Sequence, residues 1–177
     1  MDEPMKNSHF RFMTFGYVFR DLFRPRRKIL DELEIKDGAY ILDFGCGPGS
    51  YSVIAAEMAG ATGKVYALDI HSLAIQRIQS TVAKKKLANI ETILSDCDTG
   101  LEDNSMDIVL LFDIFHHLNN PNAVLKELHR VLKPEGILSF SDHHMKEPEI
   151  TAGITDNGLF KLIRKGERSY IFGKESS

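Results

Sequence analysis

The stretch ILDFGCGPGS, Ile41 to Ser50, decides the fold. The apolar run Ala39 to Phe44 reads as a buried strand, and it ends in a turn carrying Gly45, Gly47 and Gly49 directly before a helical pattern over Ser50 to Ala59. Glycines in such a turn let the backbone approach a ligand closely, and the helix that follows presents free N–H groups to a negative group. A strand, a glycine turn and a helix in that order open an alternating α/β pattern.

Working outward, the alternation continues. The spacing predicts a strand over Lys64 to Asp69, an amphipathic helix over Leu73 to Leu87, a strand over Ile90 to Ser95, a polar loop over Cys97 to Ser105 and a strand over Met106 to Phe112. A helix over Pro121 to Leu132 follows, with Asn120 as its cap and Val124, Leu125, Leu128, Val131 and Leu132 on its inner face. Lys133-Pro134-Glu135-Gly136 is expected to turn the chain into a fifth strand over Ile137 to Ser141. After a short helical stretch near Glu149 to Thr155, the runs Phe160 to Arg164 and Ser169 to Phe172 flank a turn, which is a hairpin signal. Upstream, apolar residues recur at helical spacing from Asn7 to Phe23, and a second helix is expected to start at Pro25 and run through Leu33. The whole predicts one α/β domain over 1–177: a doubly wound, mainly parallel sheet of seven strands with an antiparallel C-terminal hairpin strand. Residues 1–37 are expected to form helices covering the site, and 38–177 the cofactor-binding sheet.

Bulk properties fit this. A chain of 177 residues buries roughly 70% of its unfolded surface, and 27% charged with 43% hydrophobic residues are ordinary globular values. A formal charge of −3 offers no broad footprint for nucleic acid, so a small-molecule partner is favoured. The polar, acidic N-terminus lacks the pattern of a secretory signal, and the most apolar stretch, Met106 to Phe115, contains Asp107 and Asp113. A cytoplasmic protein without a transmembrane segment is expected, with Cys46 and Cys97 as free thiols.

The second strand ends in VYALD, which puts Asp69 at its carboxyl end, where a carboxylate can accept hydrogen bonds from both hydroxyls of a ribose. Loop and acid together imply a nucleoside-containing cofactor. A dinucleotide fingerprint starting at Gly45 would need a glycine-like residue where Ser50 stands, and Pro48 crowds the approach of a pyrophosphate. The G-x-G-x-G spacing of LDFGCGPG, Leu42 to Gly49, instead resembles the first motif of the class I S-adenosylmethionine-dependent methyltransferases. The resemblance extends through LSDCD at the third strand's end and through MDIVLLFDIFHHLNNPNAVLKELHRVLKPEGIL, Met106 to Leu138, which is similar to the fourth motif of the quinone-type and small-molecule branch. Glu135 departs from the glycine usual at that turn.

The resemblance implies a Rossmann-like methyltransferase fold, S-adenosylmethionine as cofactor and a set of site residues. Asp43 and the backbone of Gly45, Cys46, Gly47 and Gly49 would hold the amino acid part of the cofactor, and Asp69 its ribose. Ile70 and His71 would flank the adenine; Asp96, with Cys97 beside it, would read the adenine amino group; the backbone at Phe112 would bind the methionine amino group.

Other residues carry two readings each. His116-His117 follows the fourth strand and Asp142-His143-His144 the fifth, so His116 or His143 can serve as a base toward the acceptor, or several of them with Asp142 can bind a metal; the plainer reading leaves His117 packed near the cofactor and the rest in solvated loops. No metal is expected. Cys46 and Cys97 resemble the thiols of arsenite methyltransferases, but the further cysteines those use are absent, and a separation of about 9–10 Å across the middle strand puts them out of disulfide reach. Arg20, Arg24, Arg26, Arg27 and Lys28 form either a solvated face or an attraction for an anionic acceptor or surface. Among the aromatics Phe10, Phe12, Phe15, Tyr17, Phe19 and Phe23, some are expected in the core and some at an acceptor pocket or subunit contact, with Tyr17 the substrate candidate. A homodimer completing the site, a noncatalytic cofactor-binding module and a nucleotide-dependent oxidoreductase remain as alternatives.

Overall fold

The computed structural model describes residues 26–175. The predicted helix over Asn7 to Phe23, Tyr17, the aromatic set and Arg20 and Arg24 lie outside the described residues. The elements are α1 (Arg27–Asp31), β1 (Tyr40–Phe44), α2 (Ser50–Ala59), β2 (Lys64–Asp69), α3 (Ser72–Lys85), β3 (Ile90–Leu94), β4 (Met106–Phe112), a 3-10 turn (Phe115–His117), α4 (Pro121–Val131), β5 (Leu132–Ser141), α5 (Glu147–Thr155), β6 (Phe160–Lys165) and β7 (Tyr170–Lys174).

Seven strands form one sheet in the order β3-β2-β1-β4-β5-β7-β6. The first five pair in parallel, whereas β7 is antiparallel to both β5 and β6. The order reverses between β1 and β4, and the crevice outside the carboxyl ends of strands at such a switch point is where open α/β sheets bind ligands.

Strand alternation gives the sheet two apolar faces. Leu42, Phe44, Leu68, Val109, Leu111 and Phe140 pack against Val124, Leu125 and Leu128 of α4 and Ile150 and Ile154 of α5. On the opposite face Ile41, Val65, Ile108, Leu110 and Ile171 meet Ile29 and Leu30 of α1 and Ala55, Ala56 and Ala59 of α2. Removing these side chains from water at about 25 cal/mol per Å² is the main term holding both helix layers on the sheet.

Two expected boundaries shift. The turn expected at Lys133 to Gly136 is absorbed into β5, which starts at Leu132 as soon as α4 ends. Met106 faces Leu132 and Ile108 faces Ile137, so five steps on β5 oppose two on β4 and the surplus bulges out. Pro134 lacks the N–H a regular ladder needs, which favours the bulge. The helix expected from Pro25 through Leu33 is shorter. It ends at Asp31, and Glu34 adopts φ 50°, yet Ile29, Leu30 and Leu33 are all buried as the helical spacing requires. The 3-10 turn over Phe115–His117 was not among the expected elements.

Candidate functional site

The glycine turn connects β1 to α2 and is clamped from below. Gly45, Gly47 and Gly49 all have positive φ, at 74°, 53° and 81°, conformations that side chains disfavour. A Cβ on Gly45 would lie 2.9 Å from Ile114, and one on Gly49 would lie 2.4 Å from Ile78, whereas one on Gly47 would meet nothing within 4 Å. Two glycines therefore seat the loop, and the middle one leaves its outer side open. Cys46 is buried between them, and burial pushes its thiol pKa well up, which makes it a packing residue.

Two carboxylates flank this loop. Asp43, 2% exposed, accepts a 2.5 Å hydrogen bond from the Ser52 hydroxyl of α2. Burial pushes its carboxyl up to about 6, against the lowering effects of Ser52 and the Arg26 charge. Asp69 accepts from the Gly47 N–H at 2.8 Å and from the His71 N–H at 2.7 Å, one on each oxygen, and burial raises its pKa too. Each carboxylate oxygen has a second lone-pair direction, so these bonds orient Asp69 without exhausting it. Residue 71 shows more than the sequence indicated: His71 is buried and its Nδ1 accepts from the Leu73 N–H, capping α3. Ile70 is partly exposed next to it. Asp96 and Cys97 lie just past β3, both partly exposed, and the Ser95 N–H donates to the Asp69 carbonyl at 3.2 Å. Phe112 ends β4 with its ring against Tyr51, centroids 4.8 Å apart.

The histidines form a row beside this loop. Imidazole centroids are 3.9 Å apart for His116 and His117, 4.3 Å for His116 and His144, and 4.0 Å for His143 and His144. The carboxylates behind them are crossed. Asp142, after β5, lies 2.7 Å from Nδ1 of His116 after β4; Asp113, after β4, lies 2.6 Å from Nδ1 of His143 after β5. A carboxylate at Nδ1 favours the proton there and leaves Nε2 as an acceptor. The inner pair is the more enclosed: the Asp142 side chain is 0% exposed and that of His116 19%. Burial would raise Asp142, but hydrogen bonds from the His116 ring and the His144 and His116 backbone N–H groups outweigh it and hold the carboxyl below its usual range. His117 is exposed overall, yet partial desolvation and the neighbouring His116 lower its pKa. Among the described residues no group of three or more His, Cys, Asp or Glu is arranged to hold a metal ion.

Sequence reading did not single out Asp113 as a histidine partner. The spelling DIFHH and SDHH was the available signal, but only the pairing of β4 with β5 brings each acid to the other strand's histidine, Asp113 doing so from a positive φ of 54°.

Comparison with known proteins matches residues 35–172 to a family described as a methyltransferase domain. This chain belongs to the methyltransferase-domain family. It is 30% identical over 132 residues to a demethylmenaquinone methyltransferase of Geobacillus stearothermophilus, covering 74% of this chain and 56% of that one. The methyltransferase-family chain thus spans about half the length of the curated relatives it matches. A crystal structure of a SAM-dependent methyltransferase from Aquifex aeolicus is 30% identical with a TM-score of 0.73, covering 84% of this chain and 86% of that one. A structure from Methanococcus maripaludis has a TM-score of 0.76 over 100% of this chain and 98% of that one at 18% identity, a likeness of fold alone. The fold is the class I methyltransferase fold, and the family's cofactor is S-adenosylmethionine. The residues present suit that group: an open middle glycine, a buried carboxylate beside the loop for a cationic amine, and a second carboxylate at the next strand end for a diol.

Proposed function

We propose that this chain transfers the methyl group of S-adenosylmethionine to a small-molecule acceptor over the carboxyl ends of β4 and β5. The observation that carries the reading is the pair of carboxylates, Asp43 and Asp69, on either side of a glycine turn seated against Ile114 and Ile78. In this reading Asp43 and the backbone of Gly45, Cys46, Gly47 and Gly49 hold the methionine part together with the Phe112 backbone. Asp69 takes the ribose, Ile70 and His71 flank the base, and Asp96 beside Cys97 reads its amino group. The sulfonium supplies an electrophilic methyl group and needs no protonation on leaving. The chain's task is therefore alignment, which can contribute about 7–11 kcal/mol.

His116 and His143, each with Nδ1 against a carboxylate, are the groups suited to take a proton from the acceptor. His116 is placed first because Asp142 behind it is fully enclosed. The names of the relatives point to a quinone-type acceptor.

Calorimetry with S-adenosylmethionine, followed by detection of S-adenosylhomocysteine with quinol-type and other small acceptors, tests the reading. Binding with turnover is expected. A thermal response to NAD and none to S-adenosylmethionine would end it, and binding without turnover of any acceptor would leave a cofactor-binding module.

A further inference from the structure

Resting on the reading of Asp96 as the group that meets the adenine amino group, we propose that Thr99, Glu127 and Arg130 form a positioning clamp that selects adenine over hypoxanthine. The loop from 95 to 105 joins β3 to β4 without regular structure, and a loop of that length holds a side chain in place only if something pins it. Cys97 and Leu101 pack on the core, the Cys97 N–H donates to the Ser95 hydroxyl at 3.3 Å, and one turn of α4 supplies the charged tie.

Thr99, 4% exposed, donates both its N–H and its hydroxyl to Oε1 of Glu127, at 2.9 and 2.5 Å. Arg130 grips the same carboxylate with two nitrogens, Nε to Oε2 at 2.8 Å and Nη2 to Oε1 at 2.7 Å. The other guanidinium nitrogen donates to the Leu101 carbonyl at 2.8 Å and to Asp103 at 2.5 Å. Past these, the N–H groups of Asn104 and Ser105 donate to the carbonyls of Arg130 and Val131. The guanidinium beside Glu127 keeps its carboxyl far below the usual range, at about 2, so the clamp stays charged under ordinary conditions.

Asp96 therefore lies between two fixed points. On one side the Ser95 N–H is tied to the Asp69 carbonyl, and on the other Thr99 is tied to α4. Ser95 and the Cys97 N–H bonded to its hydroxyl hold the near side of Asp96, and the Thr99 tie fixes the far side; without it the segment from Asp96 to Thr99 can tilt, and a shift of even about 1 Å takes a carboxylate out of hydrogen-bond geometry. A carboxylate fixed there accepts from an amino group and repels a carbonyl oxygen at the same ring position. Hypoxanthine puts a carbonyl oxygen there and a proton on the neighbouring N1, so only a carboxylate held over the C6 substituent rejects it, and the discrimination fails when the reading group drifts toward N1.

The test compares binding of S-adenosylhomocysteine and its inosine counterpart, by calorimetry, to the wild-type protein and to Thr99→Val, Thr99→Ser, Glu127→Gln and Asp96→Asn. We expect the wild type to prefer the adenine compound by about 10²-fold, on the scale of polar discrimination. Thr99→Val and Glu127→Gln should lower that ratio about tenfold, with the inosine affinity little changed, and Thr99→Ser should restore it. An unchanged ratio in both Thr99→Val and Glu127→Gln, or equal loss of both compounds, would overturn the clamp as a specificity device. If Asp96→Asn abolishes the preference while Thr99→Val keeps it, the adenine assignment stands and the clamp alone falls. A wild type that binds neither compound would overturn the cofactor reading and this proposal with it.

Discussion

On the proposed reading Asp43 carries opposite costs in the free and the cofactor-loaded protein. A carboxyl pushed up to about 6 bears its charge only above that pH. Because its folded pKa exceeds the ordinary value of 3.8, the cost to the ligand-free protein is absent below that pH, grows as pH rises from there to about 6 and is complete above it. Asp43→Asn is expected to raise the melting temperature at pH 7, with the gain gone below about pH 3, while weakening S-adenosylmethionine binding. Wild-type affinity should fall between pH 7 and 5 as the ammonium loses its partner, and calorimetry on Asp43→Asn should show a flatter profile; an unchanged slope would take Asp43 out of the site. His116→Gln probes the other half of the crevice. With cofactor affinity intact by calorimetry, kcat is expected to fall about 10²- to 10⁴-fold for an acceptor that must lose a proton, and a near wild-type kcat would leave His116 a packing residue.

At the scale of elements, the turn between β1 and α2 works because its neighbours leave no room for a side chain. Gly49 begins α2 in a left-handed conformation against Ile78 of α3, so Gly49→Ala meets both backbone strain and a close contact. A loss of about 2–4 kcal/mol in denaturant unfolding is expected, and a loss under 0.5 kcal/mol would show that α3 yields easily. The alternation of helix and strand, the Pro121 start of α4 with its Asn120 cap and the C-terminal hairpin were legible because local periodicity and capping chemistry act over a few residues. The bulge that merges Lys133 to Gly136 into β5 was not legible, because it depends on the register against β4.

Across the whole molecule, α4 links the histidine segment, which runs into its N-terminal cap, to the loop carrying Asp96, which is tied to its last turn. The Glu127 carboxylate is central to that tie, and its folded pKa of about 2 lies below the ordinary value of 4.5. Its stabilisation is therefore complete above pH 4.5 and lost as pH falls toward 2. Glu127→Gln should cost about 1–2 kcal/mol at pH 7 in urea unfolding, with the gap closing toward pH 2; a gap that persisted there would mean the charge is not what matters.

The order of elements, the glycine turn, Asp43 and Asp69 at strand ends and the methyltransferase resemblance were all determined by the sequence alone, since each is written within a few neighbouring residues. Only the tertiary structure decided which acid backs which histidine and what pins the loop after β3. Asp113 faces His143 and Asp142 faces His116 across two strands, and Thr99 meets Glu127 from 28 residues away. Such pairings depend on strand register and helix docking, which follow from burying both faces of the sheet at once and which no local pattern encodes.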